Sequence, residues 1–233
     1  MVAEPRVPPV GGFNFTWNPS LSDLYLPMKA ILESRPDLDA VAAGALVFTK
    51  AFKGQDRVLL IQRASHDSMP LRWEIPGGGC DYEDETLLHG VARELWEESG
   101  LLLRSVVRQV GSGHIFFTRR NLRVCKFTFE AEVETAEGDS TSVPSEERVP
   151  TVTIDPNEHQ RFLWASEDEC RAHKAVVTVE GNREEVVELR FTTHDQEAVI
   201  LEGFRVRREE PSTGVQSSKL ISATDKEHVL DVS

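Results

Sequence analysis

The sequence predicts a mixed α/β (α+β) protein folded around one core. Segments with strand character and segments of helical period follow one another along the chain, and no internal repeat divides it. With 233 residues, 39% hydrophobic and 28% charged, the chain suits one large domain or one ordinary domain with extensions.

The elements are read in order. Residues 1–20, rich in Pro, Gly and Asn, read as an irregular extension. LPMKAILESRP (26–36) offers a short helix, with Pro27 in its first turn and Pro36 closing it. AVAAGALVFT (40–49) and RVLLIQRA (57–64) read as strands joined by polar KAFKGQD, and RWEI (72–75) as a third, short strand running into Pro76 and three glycines. A long helix follows over about 84–99, with Gly100 placed to end it in a left-handed conformation. SVVRQVGSGHIFFTR (105–119) and LRVCKFTFEAEV (122–133) have strand content, the second with clear alternation. Residues 135–157 are polar and contain proline, as a surface loop would. RFLWA (161–165) reads as a strand and SEDECRAH (166–173) as a short helix. VVTVEGNREEVVELRF (176–191) reads as a hairpin about Glu180-Gly181-Asn182, with helix competing in its second half. THDQEAVILEGFRV (193–206) is a helix whose Thr193 and Gln196 fit a capping box. The Ser/Thr-rich tail reads as disordered. Three regions are therefore expected: an extension with a short helix (1–37), the main domain (38–208) and the tail (209–233).

Charge and cysteine usage narrow the function. There are 39 acidic and 26 basic side chains, a formal charge of −13. That balance argues against binding a nucleic acid polymer or an anionic membrane, and a phosphate-bearing ligand would need local cations from arginine or metal. Cys80, Cys125 and Cys170 are too few and scattered for a disulfide framework and form no CxxC pair, so reduced thiols and a cytoplasmic location are expected. The opening MVAEPRVPPVGG lacks the layout of a signal peptide, and the longest apolar run, AVAAGALVF, is too short to span a bilayer. The SKL at 218–220 is internal, so it is no carboxy-terminal peroxisomal address.

The chemistry concentrates in RELWEESG (93–100). At about 100° per residue, Glu98 lies about 40° to one side of Glu94 and Glu97 about 60° to the other. The apolar stripe of Leu88, Val91, Ala92 and Leu95 begins just beyond Glu98. Arg93 is spaced to pair with Glu97. Glu97 and Glu98 lie near the negative pole of the helix dipole, where clustered carboxylates are unfavourable unless a cation is bound. Hard oxygen ligands favour Mg²⁺ or Mn²⁺. A solvated acidic face is the plain alternative for such a cluster alone.

Its context decides between them. Residues 79–101 read GCDYEDETLLHGVARELWEESGL: Gly79, five residues, Glu85, seven residues, then Arg93-Glu94-Leu95-x-Glu97-Glu98-x-Gly100-Leu101. This resembles the Nudix box, GX5EX7REUXEEXGU, at every specified position. Seven fixed residues at about 7% each match by chance on the order of 10⁻⁸ per start position.

The resemblance implies an α/β/α sandwich around a mixed β-sheet, and hydrolysis of a small-molecule diphosphate with Mg²⁺ or Mn²⁺ and water. Carried over by position, Glu94, Glu97 and Glu98 look like metal ligands, with one of them sometimes cast as base. Arg93 looks like their orienting partner and Glu85 like a second support. A carbonyl of Gly78 or Gly79 would complete the metal shell; PGGG stands where many members have PGG, so which carbonyl is left open. Arg63 resembles the arginine many members aim at phosphate, against a surface arginine at a strand end; Arg72 stands behind it. The general base is expected on the loop before the late strand, at Glu158, with Glu146 and Glu147 behind. WEIPGG (73–78) resembles the MutT-like nucleoside triphosphate group, which brings Trp73 into the substrate set beside Arg63, Gly78 and Gly79. Phe13, Phe15, Trp17, Phe116, Phe117 and Trp164 are candidates for a base pocket, or for core. An isoprenoid diphosphate hydrolase of the same fold and a non-catalytic ligand-binding module remain as alternatives, and a homodimer is left open. Cys80 is incidental to the box. The histidines, His159 among them, show no ligand spacing, GSG at 111–113 is not a nucleophile elbow, and no GxxxxGK[ST] occurs.

Overall fold

The computed structural model describes residues 6–52, 54–134, 149–179, 181–209 and 221–222. Its centre is strand β2 (Ala40–Phe52), apolar on both faces. Val41, Ala43, Ala45 and Val47 point into one half of the core, and Leu46 with Phe48 into the other. A strand buried on both sides needs helices above and below. Helix α2 (Leu87–Ser99) covers the first face, with Leu88, Val91 and Leu95 in the same cluster as Val41 and Ala43. Helix α4 (His194–Glu209) covers the second through Ile200 and Phe204.

Strand β2 divides its pairing. Residues 40–47 run parallel to β6 (Arg123–Val133), whereas Phe48 onward pairs antiparallel with β3 (Gln55–Arg63). Beyond that point β3 leaves β2 and takes β4 (Trp73–Glu74) beside Ile61 and Gln62. The first half of β2 is left with an open edge. The glycine loop fills it: Ala43 N–H donates to Gly78 O at 2.9 Å, Ala45 N–H to Pro76 O at 2.8 Å, and Cys80 N–H to Val41 O at 3.0 Å. Strand β7 (His159–Ala165) lines the other edge of β3, and β5 (Leu103–Phe117) pairs with β6.

The hairpin expectation holds over its helical competitor: β8 (Lys174–Val179) and β9 (Arg183–Glu188) pair antiparallel, with Gly181 and Asn182 at φ 80° and 58°. Helix α3 (Glu167–Ala172) begins with a reciprocal capping box of Ser166 and Glu169. Thr193 Oγ1 accepts from Gln196 N–H at 3.0 Å, as its spacing predicts.

Three expectations change. Residues 13–24 are part of the core rather than an irregular extension: β1 (Thr16–Trp17) runs parallel to β5, a 3₁₀ turn covers Pro19–Leu24, and Phe15, Trp17 and Leu21 join Met28 and Ile31 of α1 (Met28–Ser34) beneath α2. The aromatic pair is short and broken by polar residues, so no periodicity announces its burial. The long helix starts at Leu87, not near 84, because Thr86 caps it by accepting from His89 N–H. Within the tail, β10 (Ile221–Ser222) pairs with β1. The remainder of the tail, Glu146, Glu147 and the SKL at 218–220 lie outside the described residues.

Candidate active site

The site forms where the glycine loop, the end of α2 and the start of β7 meet beside the open edge of β2. Helix α2 ends at Gly100, in the left-handed conformation at φ 68°. Its last two turns present Glu94, Glu97 and Glu98. Glu98 is buried, and its Oε2 accepts Gly77 N–H at 2.6 Å. Gly77 is required there: at φ 147° a Cβ would collide with Ala43 O. A Cβ on Gly78 would stand 2.6 Å from Glu94 Oε2, so only glycine lets the loop backbone approach that carboxylate. Gly78 O is bonded to Ala43 N–H, and Gly79 O accepts from Arg93 at 2.7 Å.

Arg93 organises the cluster. Its guanidinium bonds Glu94 Oε1 at 2.8 Å and Glu97 Oε2 at 2.9 Å, and forks onto Asp84 at 2.9 and 3.0 Å. The Glu97 pairing matches the helical spacing. The acidic group of the preceding loop that bonds Arg93 is Asp84, the neighbour of Glu85. The loop folds back on the helix, a path with no local signature in the sequence.

Electrostatics follow from burial. The Glu94 carboxyl is pushed up to about 7, first by desolvation and then by Glu97 and Glu158, with Arg93 opposing. Glu98 is raised well above the carboxylate range by burial, Glu74 and Glu94. Burial works against the charge of Glu74 too, but His159, Lys126 and Arg63 together hold it below its usual value. Two neighbouring carboxyls are thus shifted in opposite directions, Glu74 down and Glu98 up.

His159 is the group that spacing rules pass over. Its imidazole is buried, Nε2 lies 3.5 Å from Glu74 Oε1 and 3.7 Å from Glu98 Oε1, and Nδ1 is buried without a hydrogen-bond partner. Among the described residues, Glu98, Glu158 and His159 bring one ligand atom each within 4.8 Å of one another. The structure therefore brings exposed Glu158 to the site. Its neighbour His159, opening β7, was readable only as adjacent to it.

The proposed substrate contacts fare differently. Trp73 is fully buried in the core under α4, its indole N–H donating to Glu188 O at 3.0 Å, so it offers no surface to a ligand. Arg63 points to the site, but its guanidinium is taken by Glu74 and by Asp67 at 2.7 Å. It is a structural partner of carboxylates rather than a free phosphate ligand. Arg72 lies on the rim of a separate cavity of about 390 Å³ lined by Ser68, Met69, Leu71 and Arg190. Phe15, Trp17 and Trp164 are core residues, which removes them from a base pocket.

One further cation sits at the helix end. Arg6 donates to Trp96 O, to Glu97 O at 3.0 Å and to Thr153 O at 2.6 Å, with its guanidinium 5.4 Å from the Trp96 ring centre. It supplies positive charge to the negative pole of α2.

Comparison with known proteins accords with this geometry. The chain is 43% identical over 70 residues to an RNA pyrophosphohydrolase of Psychrobacter sp. (strain PRwf-1), covering 30% of this chain and 36% of that protein. It is 39% identical over 78 residues to a MutT-like protein of Streptomyces ambofaciens, covering 34% and 44%. The matched regions thus span less than half the length of either relative. A MutT protein from Methanosarcina mazei Go1 superposes with a TM-score of 0.48 at 21% identity, over 73% of this chain and 96% of the other. The model of the NUDIX domain matches residues 39–182, most of the described sheet together with α2, and the chain belongs to the Nudix family.

Proposed function

We propose that the chain hydrolyses a phosphoric anhydride, the diphosphate bond of a nucleoside diphosphate-linked or other small organic diphosphate or triphosphate, with Mg²⁺ or Mn²⁺ as cofactor. One observation carries the reading: Glu94 and Glu98 of one helix end meet a loop that must be glycine at residues 77 and 78 for its backbone to reach them, with Glu97 joined to Glu94 through Arg93. The donor set fits such an ion: it is made of hard oxygens, and the Glu94 and Glu98 carboxyls, raised first by burial and further by their carboxylate neighbours, would gain from a bound cation.

Glu94, Glu97 and Glu98 would hold the ion, with Gly78 O or Gly79 O offering its second lone pair. When bound, the ion would neutralise diphosphate charge and lower the pKa of the attacking water. Arg93 orients Glu94 and Glu97, and Gly77 N–H orients Glu98. Glu158, exposed beside Glu98, would take the water's proton. The name of the Psychrobacter relative supports an anhydride as the bond cleaved. A net charge of −13 favours a small substrate over a polyanion. Three buried, unpaired cysteines support a reducing, cytoplasmic setting.

The test is a mixed panel of nucleoside triphosphates, dinucleotides, sugar nucleotides, prenyl diphosphates and a 5′-triphosphorylated oligoribonucleotide, incubated with Mg²⁺ and resolved by mass, with Glu97→Gln alongside. One class should be cleaved, and the variant should be slower by about a hundredfold or more. Ligand binding without cleavage would instead make the chain a binding module.

A further inference from the structure

The diphosphate reading needs a cation for the substrate's phosphates, and the arginines nearest the carboxylates are already committed. Arg93 serves Asp84, Glu94, Glu97 and Gly79 O, and Arg63 serves Asp67 and Glu74. Lys126, on β6, is different. It is only 7% exposed, yet no hydrogen bond or ion pair joins it to another of the described residues. Its stem is packed inside while its Nζ keeps some exposure, as an ammonium without a counter-charge would.

Its path is built into the central strand. A Cβ on Gly44 would lie 2.9 Å from Lys126 Cε and 3.1 Å from Ile75 Cδ1, so a glycine in the interior of β2 makes room for the lysine stem. Gly44 also abuts Gly77 of the site loop. The ammonium is within electrostatic reach of Glu74 and Glu98, and of His114, its cross-strand neighbour on β5. Neither carboxyl forms an ion pair with it: Glu74 pairs with Arg63, and Glu98 Oε2 accepts the Gly77 N–H.

We propose that Lys126 is a substrate-binding residue whose ammonium contacts the phosphate oxygens of the diphosphate, an assignment that rests on the diphosphate reading above. The strand's alternation concealed it, since Lys126, Thr128 and Glu130 share what reads as a solvent face but are buried.

Calorimetry with Mn²⁺ alone, then with methylenediphosphonate in the presence of Mn²⁺, tests this in the full chain and in Lys126→Met and Lys126→Gln. Mn²⁺ binding should survive in both variants, while diphosphonate affinity falls by about tenfold or more, as loss of one charge-assisted contact predicts. Diphosphonate affinity within about twofold of wild type, with Mn²⁺ binding intact, would overturn the assignment while leaving the diphosphate reading standing. A wild-type chain that binds Mn²⁺ but no diphosphonate would overturn both. If neither variant folds, the NMR signals of the wild-type Lys126 side chain decide: a shift on adding diphosphonate supports the contact, and no shift overturns it.

Discussion

Glu98, Glu94 and Glu97 have side chains 6%, 13% and 40% exposed, in the order of their angular distance from the apolar stripe of α2. The helical wheel contains that gradient, and the gradient sets their chemistry. Glu98 is ionised least easily because it is deepest, and Glu94 is pushed up to about 7. Metal binds the carboxylate, not the acid, so Mn²⁺ affinity should fall about tenfold for each pH unit below about 7. Calorimetric titrations between about pH 5 and about pH 8 check this, and a flat profile would refute it. The linkage has a definite sign. In the fold Glu94 holds its proton up to about 7, against the ordinary 4.5 of a glutamate in the unfolded chain, so the metal-free fold binds more protons than the unfolded chain in that window. Its stability should therefore decline as pH rises between those values.

At the scale of elements, α2 is held from three sides. Its stripe docks on β2, Arg93 ties its last turns to the preceding loop, and Arg6 bonds carbonyls at its C-terminus. The unfavourable meeting of carboxylates and dipole is thus eased within the chain, before any metal binds. Arg6→Ala should cost about 1–2 kcal/mol, since it removes a cation from a helix C-terminus and its bonds to carbonyls. Urea unfolding of the metal-free protein measures it, and an unchanged midpoint would show that Arg6 contributes nothing there. The glycine loop is an element of a similar kind. Lying along the open edge of β2, it takes the place of a strand and aims its backbone at the carboxylates.

Across the whole molecule, the region before β2 is integral to the fold. Trp17, 1% exposed, stacks on Tyr25 at a centroid distance of 4.5 Å beneath α2. Truncating it should cost about 3–5 kcal/mol, as for other large core aromatics. Trp17→Ala unfolding in urea with wild-type stability would show that the extension is an appendage after all.

By itself the sequence determined the order of the main strands and helices, the hairpin, the C-terminal end of α2 and the carboxylate cluster on it, because periodicity, caps and box spacing are local and each residue's place follows from its neighbours along the chain. Only the tertiary structure decided that Asp84 anchors Arg93, that Arg63 is spent on Glu74 and Asp67, that Trp73 is core, and that His159 and Lys126 reach the carboxylates. Those assignments depend on which distant groups share a buried space. Burial decides whether a charge finds a partner, and no spacing along one strand or loop encodes it.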